Sequence, residues 1–143
     1  RRAEDLPHFD RDAVRIKYDA WHGYTKFDRE GLEPAYAFGF GLGYAEIEYA
    51  EPTVQLDPAT RRARVEVSLR NIGAREGATV VQVYGGREDP GADHPLKRLC
   101  GFQKVTLGTG ETRQVQLEID LRDLAFYDVE TRRWRLEGRG CPG

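Results

Sequence analysis

Two hydrophobic patterns divide this chain. From Tyr44 onward, apolar and polar residues alternate with a period of two, the mark of strands buried on one face. Ala45-Glu46-Ile47-Glu48-Tyr49 is the first such run. Arg64-Val65-Glu66-Val67-Ser68-Leu69-Arg70 is the cleanest, with Val65, Val67 and Leu69 directed inward. Thr79-Val80-Val81-Gln82-Val83-Tyr84 is rich in β-branched and apolar residues, as a central strand is. Arg98 to Leu107 follows, then Arg113 to Ile119 with Val115, Leu117 and Ile119 inward, and a short strand at Trp134-Arg135-Leu136. Turn signals at Asn71-Ile72-Gly73, Glu76-Gly77 and Gly108-Thr109-Gly110 separate the strands. Asp120 to Tyr127 is either one helical turn or a corner between sheets. Short strands at regular spacing, with no helix among them, predict an all-β antiparallel sandwich over residues 44–143. Phe102, Phe126 and Trp134 are assigned to its core, with Arg133 and Arg135 pointing outward.

The leading 43 residues follow another pattern. They show no helical period. Asp5-Leu6-Pro7-His8-Phe9-Asp10 reads as extended, because a residue before proline is pushed out of the helical region. Asp28-Arg29-Glu30-Gly31 reads as a turn closed by its glycine. In Phe38-Gly39-Phe40-Gly41-Leu42-Gly43-Tyr44, four large apolar residues alternate with three glycines, which places all four on one face of an extended segment. Glycine in such a run marks close approach of another backbone or a ligand. With Trp21, Tyr24 and Tyr36 also present, residues 1–43 are an aromatic-rich interdomain linker, extended and irregular, not a flexible tether. Its rings need a covering surface, and this chain is expected to lack it.

Composition narrows the chemistry. Lys and Arg total 22 against 24 Asp and Glu, a formal net charge of −2. That balance gives no field for nucleic acid or an anionic membrane. The short basic pairs Arg61-Arg62 and Arg132-Arg133 read as solvated turns and strand ends. No apolar run approaches the roughly 18 residues of a membrane span. The chain opens on Arg1-Arg2-Ala3-Glu4-Asp5 and holds no Met, so it is expected to be a piece of a longer protein whose compartment stays open. His8, His22 and His94 lack metal-ligand spacing, so no metal or cofactor is expected. The loop Glu88 to Pro95 lacks the ligand rhythm of a calcium site and reads as solvated. Glu46 and Glu48 share a solvent face, and nothing marks a buried acid with a raised pKa. Cys100 reads as a small buried hydrophobe; a bridge to Cys141 in the Gly-rich tail stays open.

These residues resemble, in order, the C-terminal end of family 3 glycoside hydrolases, the β-glucosidase and β-xylosidase group. The resemblance runs through Asp5-Leu6-Pro7 with Phe9, His22-Gly23-Tyr24, Glu33-Pro34 and Phe38 to Tyr44, where the family usually carries Ser at Gly43. It continues through Val67, Leu69, Asn71 and Gly73, then Gly77 and Val80-Val81-Gln82-Val83-Tyr84. Pro95, Lys97, Leu99, Gly101-Phe102 and Lys104-Val105 follow, then Leu107, Gly110-Glu111, Asp123-Leu124, Phe126, Asp128 and Trp134. The resemblance implies a fibronectin type III-like sandwich behind two catalytic domains that carry an Asp nucleophile and a Glu acid/base. Two such carboxylates work about 5 Å apart through a glycosyl-enzyme intermediate. Neither domain lies in this sequence, so no catalytic residue is carried over.

The expected role is therefore a non-catalytic C-terminal accessory module that braces the catalytic domains of a β-glucosidase-type parent and is inactive alone. The alternative is a free-standing carbohydrate- or protein-binding module. Trp21, Tyr24 and Tyr36 are the candidate substrate-binding residues, since aromatic faces stack on sugar rings. Large aromatics also dominate ordinary interfaces, which favours packing of the linker on the catalytic domains. The family sandwich continues past Trp134, whereas this chain ends Glu137-Gly138-Arg139-Gly140-Cys141-Pro142-Gly143. Such a tail cannot form a normal strand. The sandwich is thus expected to lack its last strand, leaving an open edge through which the isolated chain is marginally stable or associates.

Overall fold

The computed structural model describes residue 14 and residues 21–86 and 94–136. The readings of residues 5–10, most of the loop after Glu88, Cys141 and the tail that lacks a last strand lie outside these.

Eight strands and one helix make up the described fold: α1 (Tyr24–Glu30), β1 (Ile47–Tyr49), β2 (Thr53–Asp57), β3 (Arg62–Asn71), β4 (Gly77–Gly86), β5 (Lys97–Leu107), β6 (Thr112–Asp120), β7 (Phe126–Asp128) and β8 (Arg133–Arg135). All pairings are antiparallel. In the first sheet β3 is central, with β6 along one edge and β1 then β2 along the other. β4 and β5 form a second sheet, and β7 and β8 a hairpin. The corner between β6 and β7 is a single 3-10 turn, Leu121–Leu124, capped by the Asp120 carboxylate, which accepts from the Arg122 N–H.

The core lies between the two sheets. Val67, Leu69, Val81, Val105, Leu107 and Val115 form one buried cluster, and Ala63, Val65 and Ile119 a second, with Val83, Cys100 and Leu121 packed against it. Each comes from the inward parity of its strand, as alternation requires. Glycine at 101 lets the layers close: a Cβ there would stand 2.5 Å from Ile119 Cδ1. One buried polar side chain, Asn71, ties the end of β3 to its neighbours. Its amide donates to the carbonyls of Arg75 (2.7 Å) and Leu107 (3.0 Å), and its oxygen accepts from the Gly73 N–H (3.0 Å). Full satisfaction is what allows a polar group in this position.

Three expectations need correction. Phe102 and Trp134 are not core residues: they are 68% and 72% exposed, while Phe126 is half-buried. Phe102 lies an odd number of residues from inward Val105 and Leu107, so the pleat turns it out. The arm is not free of helix, because Gly31 closes α1 with φ 62° rather than a bare turn. Its N–H and that of Leu32 return to the carbonyls of Asp28 and Phe27, as at a helix end stopped by left-handed glycine. Finally, the glycine-alternating segment is not uniformly extended. The Phe40 N–H donates to the Ala37 carbonyl (3.0 Å) across a turn with Gly39 at φ 83°.

Candidate functional site

The arm lies along β4. Tyr24 on α1 packs edge-on against Tyr84 of β4, ring centroids 5.7 Å apart, and tilted against Phe38 at the same separation. Its hydroxyl accepts from the Leu99 N–H of β5 at 3.0 Å. One turn further along α1, Asp28 meets Lys97 Nζ at 3.2 Å. The chain then bends at Gly39, where a Cβ would fall 2.0 Å from the Gln82 amide nitrogen. It finishes beside the start of β4: the Arg75 guanidinium stands 5.6 Å from the Tyr44 ring centre, and a Cβ on Gly77 would stand 2.2 Å from Ala45 Cβ. Tyr84, Gln82 and Phe102 occupy the outward parity of β4 and β5, so this sheet has one face on the core and part of the other against the arm.

That cover is incomplete. The turn at Gly39 separates the rings: Phe38 faces Tyr24, while Phe40 stacks on Tyr36 at 5.0 Å. Tyr36 is 72% exposed, and Phe38, Phe40, Leu42, Tyr44 and Phe102 are all exposed as well. From Pro34 to Ala45 there is no charged side chain, in a chain where 32% of residues are charged. Exposed apolar residues scattered singly are ordinary, whereas a contiguous uncharged band marks a contact surface.

The three aromatic candidates are not brought together as one site. Trp21 is half-buried beneath the Arg29 guanidinium, 4.3 Å from its ring centre. Tyr24 is seated on the chain's own sheet, so its cover does not wait for a missing body. Tyr36 alone of the three presents its ring to solvent, with Phe40. Sequence reasoning missed the seat itself, formed by Gln82, Tyr84, Lys97 and Leu99. The parity of β4 and β5 was the available signal.

Among the described residues, the carboxyls with shifted pKa values all move down, the reverse of what a proton donor near neutrality needs. Arg122 holds Asp120 down at about 2, Arg135 holds Asp128 well below the carboxylate range, and Thr60 and the Gly108 N–H lower Asp57 and Glu111 respectively. Burial pushes the Tyr84 phenol and the Cys100 thiol up. Among the described residues no three His, Cys, Asp or Glu side chains converge as metal ligands. The depression beside β2 is lined by two carboxyls, Asp57 and Glu118, and both are engaged: Asp57 accepts from Thr60, and Glu118 pairs with Arg62 at 2.9 Å and Arg64 at 3.5 Å.

Two packed antiparallel sheets define the class, an all-β sandwich. Residues 79–141 match the family model of the fibronectin type III-like domain. Over 128 residues the chain is 33% identical to thermostable beta-glucosidase B of Acetivibrio thermocellus, covering 88% of this chain and 17% of that protein. It is 36% identical over 125 residues to a beta-glucosidase of Rhizobium radiobacter, covering 87% and 15%. Among solved structures, it superposes on DesR, a beta-glucosidase from Streptomyces venezuelae in complex with D-glucose, with a TM-score of 0.72 and 38% identity, covering 80% of this chain and 15% of that one. The chain thus matches the fibronectin type III-like part of family 3 beta-glucosidases, together with the segment that leads into it. It spans about a sixth of the length of the curated relatives it matches.

Proposed function

We propose that this chain is a non-catalytic accessory module of a family 3 glycoside hydrolase, bracing that enzyme's catalytic domains through its arm. One observation carries the reading: the uncharged band Tyr36, Phe38, Phe40, Leu42 and Tyr44 stands exposed along a sandwich that seats the rest of the arm. Each such side chain withdrawn from water contributes roughly 1.5–3 kcal/mol. Contacts between domains of one chain commonly bury about 600–1,500 Å². A band of this kind suits another protein surface better than a sugar, because sugar recognition needs polar groups beside the rings to meet the hydroxyls. Residues 1–43 are read as the interdomain linker and 44–143 as the sandwich. The parent is read as an enzyme acting on terminal β-glycosidic bonds, as the names of the relatives suggest.

Two measurements on the purified 143-residue chain test this. It should release no detectable aryl aglycone from aryl β-glucosides; turnover that survives repurification would overturn the reading. Calorimetry against cello- and xylo-oligosaccharides should give no saturable heat. Saturable binding that disappears in Trp21→Ala would instead support the free-standing carbohydrate module, with Trp21, Tyr24 and Tyr36 as its sugar contacts.

A further inference from the structure

The register of β4 and β5 slips once. Val83 faces Gly101, but Tyr84 faces Leu99, so Cys100 is an extra residue on β5. Such bulges twist an edge and re-aim what lies beside them. Here the extra residue sends Cys100 into the core beside Ala63, Val65 and Ile119, and the neighbouring Leu99 N–H donates to the Tyr24 hydroxyl at 3.0 Å. Tyr24 begins α1. The helix has no side-chain cap at its start, no acidic residue in its first turn and no buried residue. At seven residues it is far below the length at which a helix holds itself in water. What holds it must come from outside.

Among the described residues, α1 meets the β4–β5 sheet through the Tyr24 hydroxyl on Leu99, the Tyr24 ring on Tyr84, and Asp28 on Lys97 at 3.2 Å, beside the ring contact of Tyr24 with Phe38 in the arm itself. Tyr24 and Asp28 lie about one helical turn apart on one face of α1, the spacing at which side chains share a face. The ion pair alone is weak, since the Lys97 side chain is 44% exposed. The hydroxyl bond is different, because it meets a backbone donor beside a break in the ladder, and a backbone N–H left unmet is costly.

We propose that α1 and the β5 bulge form a latch that fixes the arm to the module's own sheet. The arm is then a preformed part of the module, and its exposed band is presented in place without help from a partner. This holds whether or not the band meets catalytic domains.

Amide hydrogen exchange on the 143-residue chain tests the latch. The Phe27, Gly31, Leu32 and Leu99 amides should exchange at least tenfold more slowly than in an unstructured chain. In Tyr24→Phe, which keeps the ring and removes the acceptor, all four should exchange roughly fivefold to tenfold faster, the size expected of one hydrogen bond. The β3 amides Val65 to Leu69 should not change. Lys97→Met should accelerate the α1 amides less than Tyr24→Phe does. Unprotected α1 amides with a protected β3 would overturn the proposal. So would protection indifferent to Tyr24→Phe.

Discussion

Asn71 and Phe102 show how a single position can be legible or hidden. Asn71 reads in the sequence as a strand-closing turn residue and as one of the family motif positions, yet it is the buried junction on which β3, the turn after it and the end of β5 depend. Nothing in a one-dimensional pattern reveals that three partners converge there. Phe102 was legible by counting from Val105 and Leu107, but its size argued for the core and parity won. The carboxylates at two turns carry a prediction at this scale. Asp120 and Asp128 have folded pKa values below the roughly 3.9 of an unfolded Asp, held there chiefly by Arg122 and Arg135. A depressed folded value means the folded state holds fewer protons, so this stabilisation is complete above about pH 5 and is lost progressively as pH falls through the folded value of about 2 for Asp120 and lower still for Asp128. The urea midpoint should hold from pH 7 to about 5 and then drop. In Asp120→Asn/Asp128→Asn the acid drop should be shallower, and an unchanged acid limb would refute the assignment. The arginine partners are exposed, so the effect should shrink in high salt.

At the scale of elements, β3, β4, β5 and β6 were all readable, β3 and β6 from clean alternation, β4 from its β-branched apolar run and β5 from an apolar strand-like run between turn signals. The elements that escaped are those whose reason is tertiary. α1 carries no signal beyond Gly31 and forms on the sheet it docks against. β2 is too exposed to look like a strand: Val54 and Leu56 sit opposite Val65 and Ala63 on the core side, yet Leu56 is 55% exposed. Two turns of the same sequence pattern, Asp57-Pro58-Ala59-Thr60-Arg61-Arg62 and Asp128-Val129-Glu130-Thr131-Arg132-Arg133, lead into β3 and β8. In each, the Asp oxygen accepts from the N–H groups two and three residues on, and the first Arg takes a left-handed φ, 55° and 53°. The basic pairs thus serve as turn and strand-end residues. The contrast between β2 and β3 is measurable. Leu69→Ala, emptying a fully buried site, should cost about 2–5 kcal/mol in urea unfolding. Leu56→Ser should stay within about 0.5 kcal/mol, as exposed substitutions do. A loss above about 2 kcal/mol for Leu56→Ser would mean that β2 is covered in solution.

For the whole molecule, the sandwich and its family were legible in the ordered motifs, whereas the division of labour within the arm was not. Tyr24 and α1 belong to the sandwich and Gly39 approaches Gln82, whereas Tyr36 and Phe40 stack on each other with their rings exposed. That division follows from which rings find an acceptor or a face on β4 and β5, and a sequence cannot rank those contacts. The central claim concerns the outward half. It is tested most directly by titrating the 143-residue chain calorimetrically into the catalytic domains of the same enzyme, prepared separately. Saturable association with a negative heat-capacity change is expected, as apolar burial gives, and it should be lost in Tyr36→Ser/Phe40→Ser with the sandwich intact. Absence of association, or association indifferent to that substitution, would contradict the bracing role.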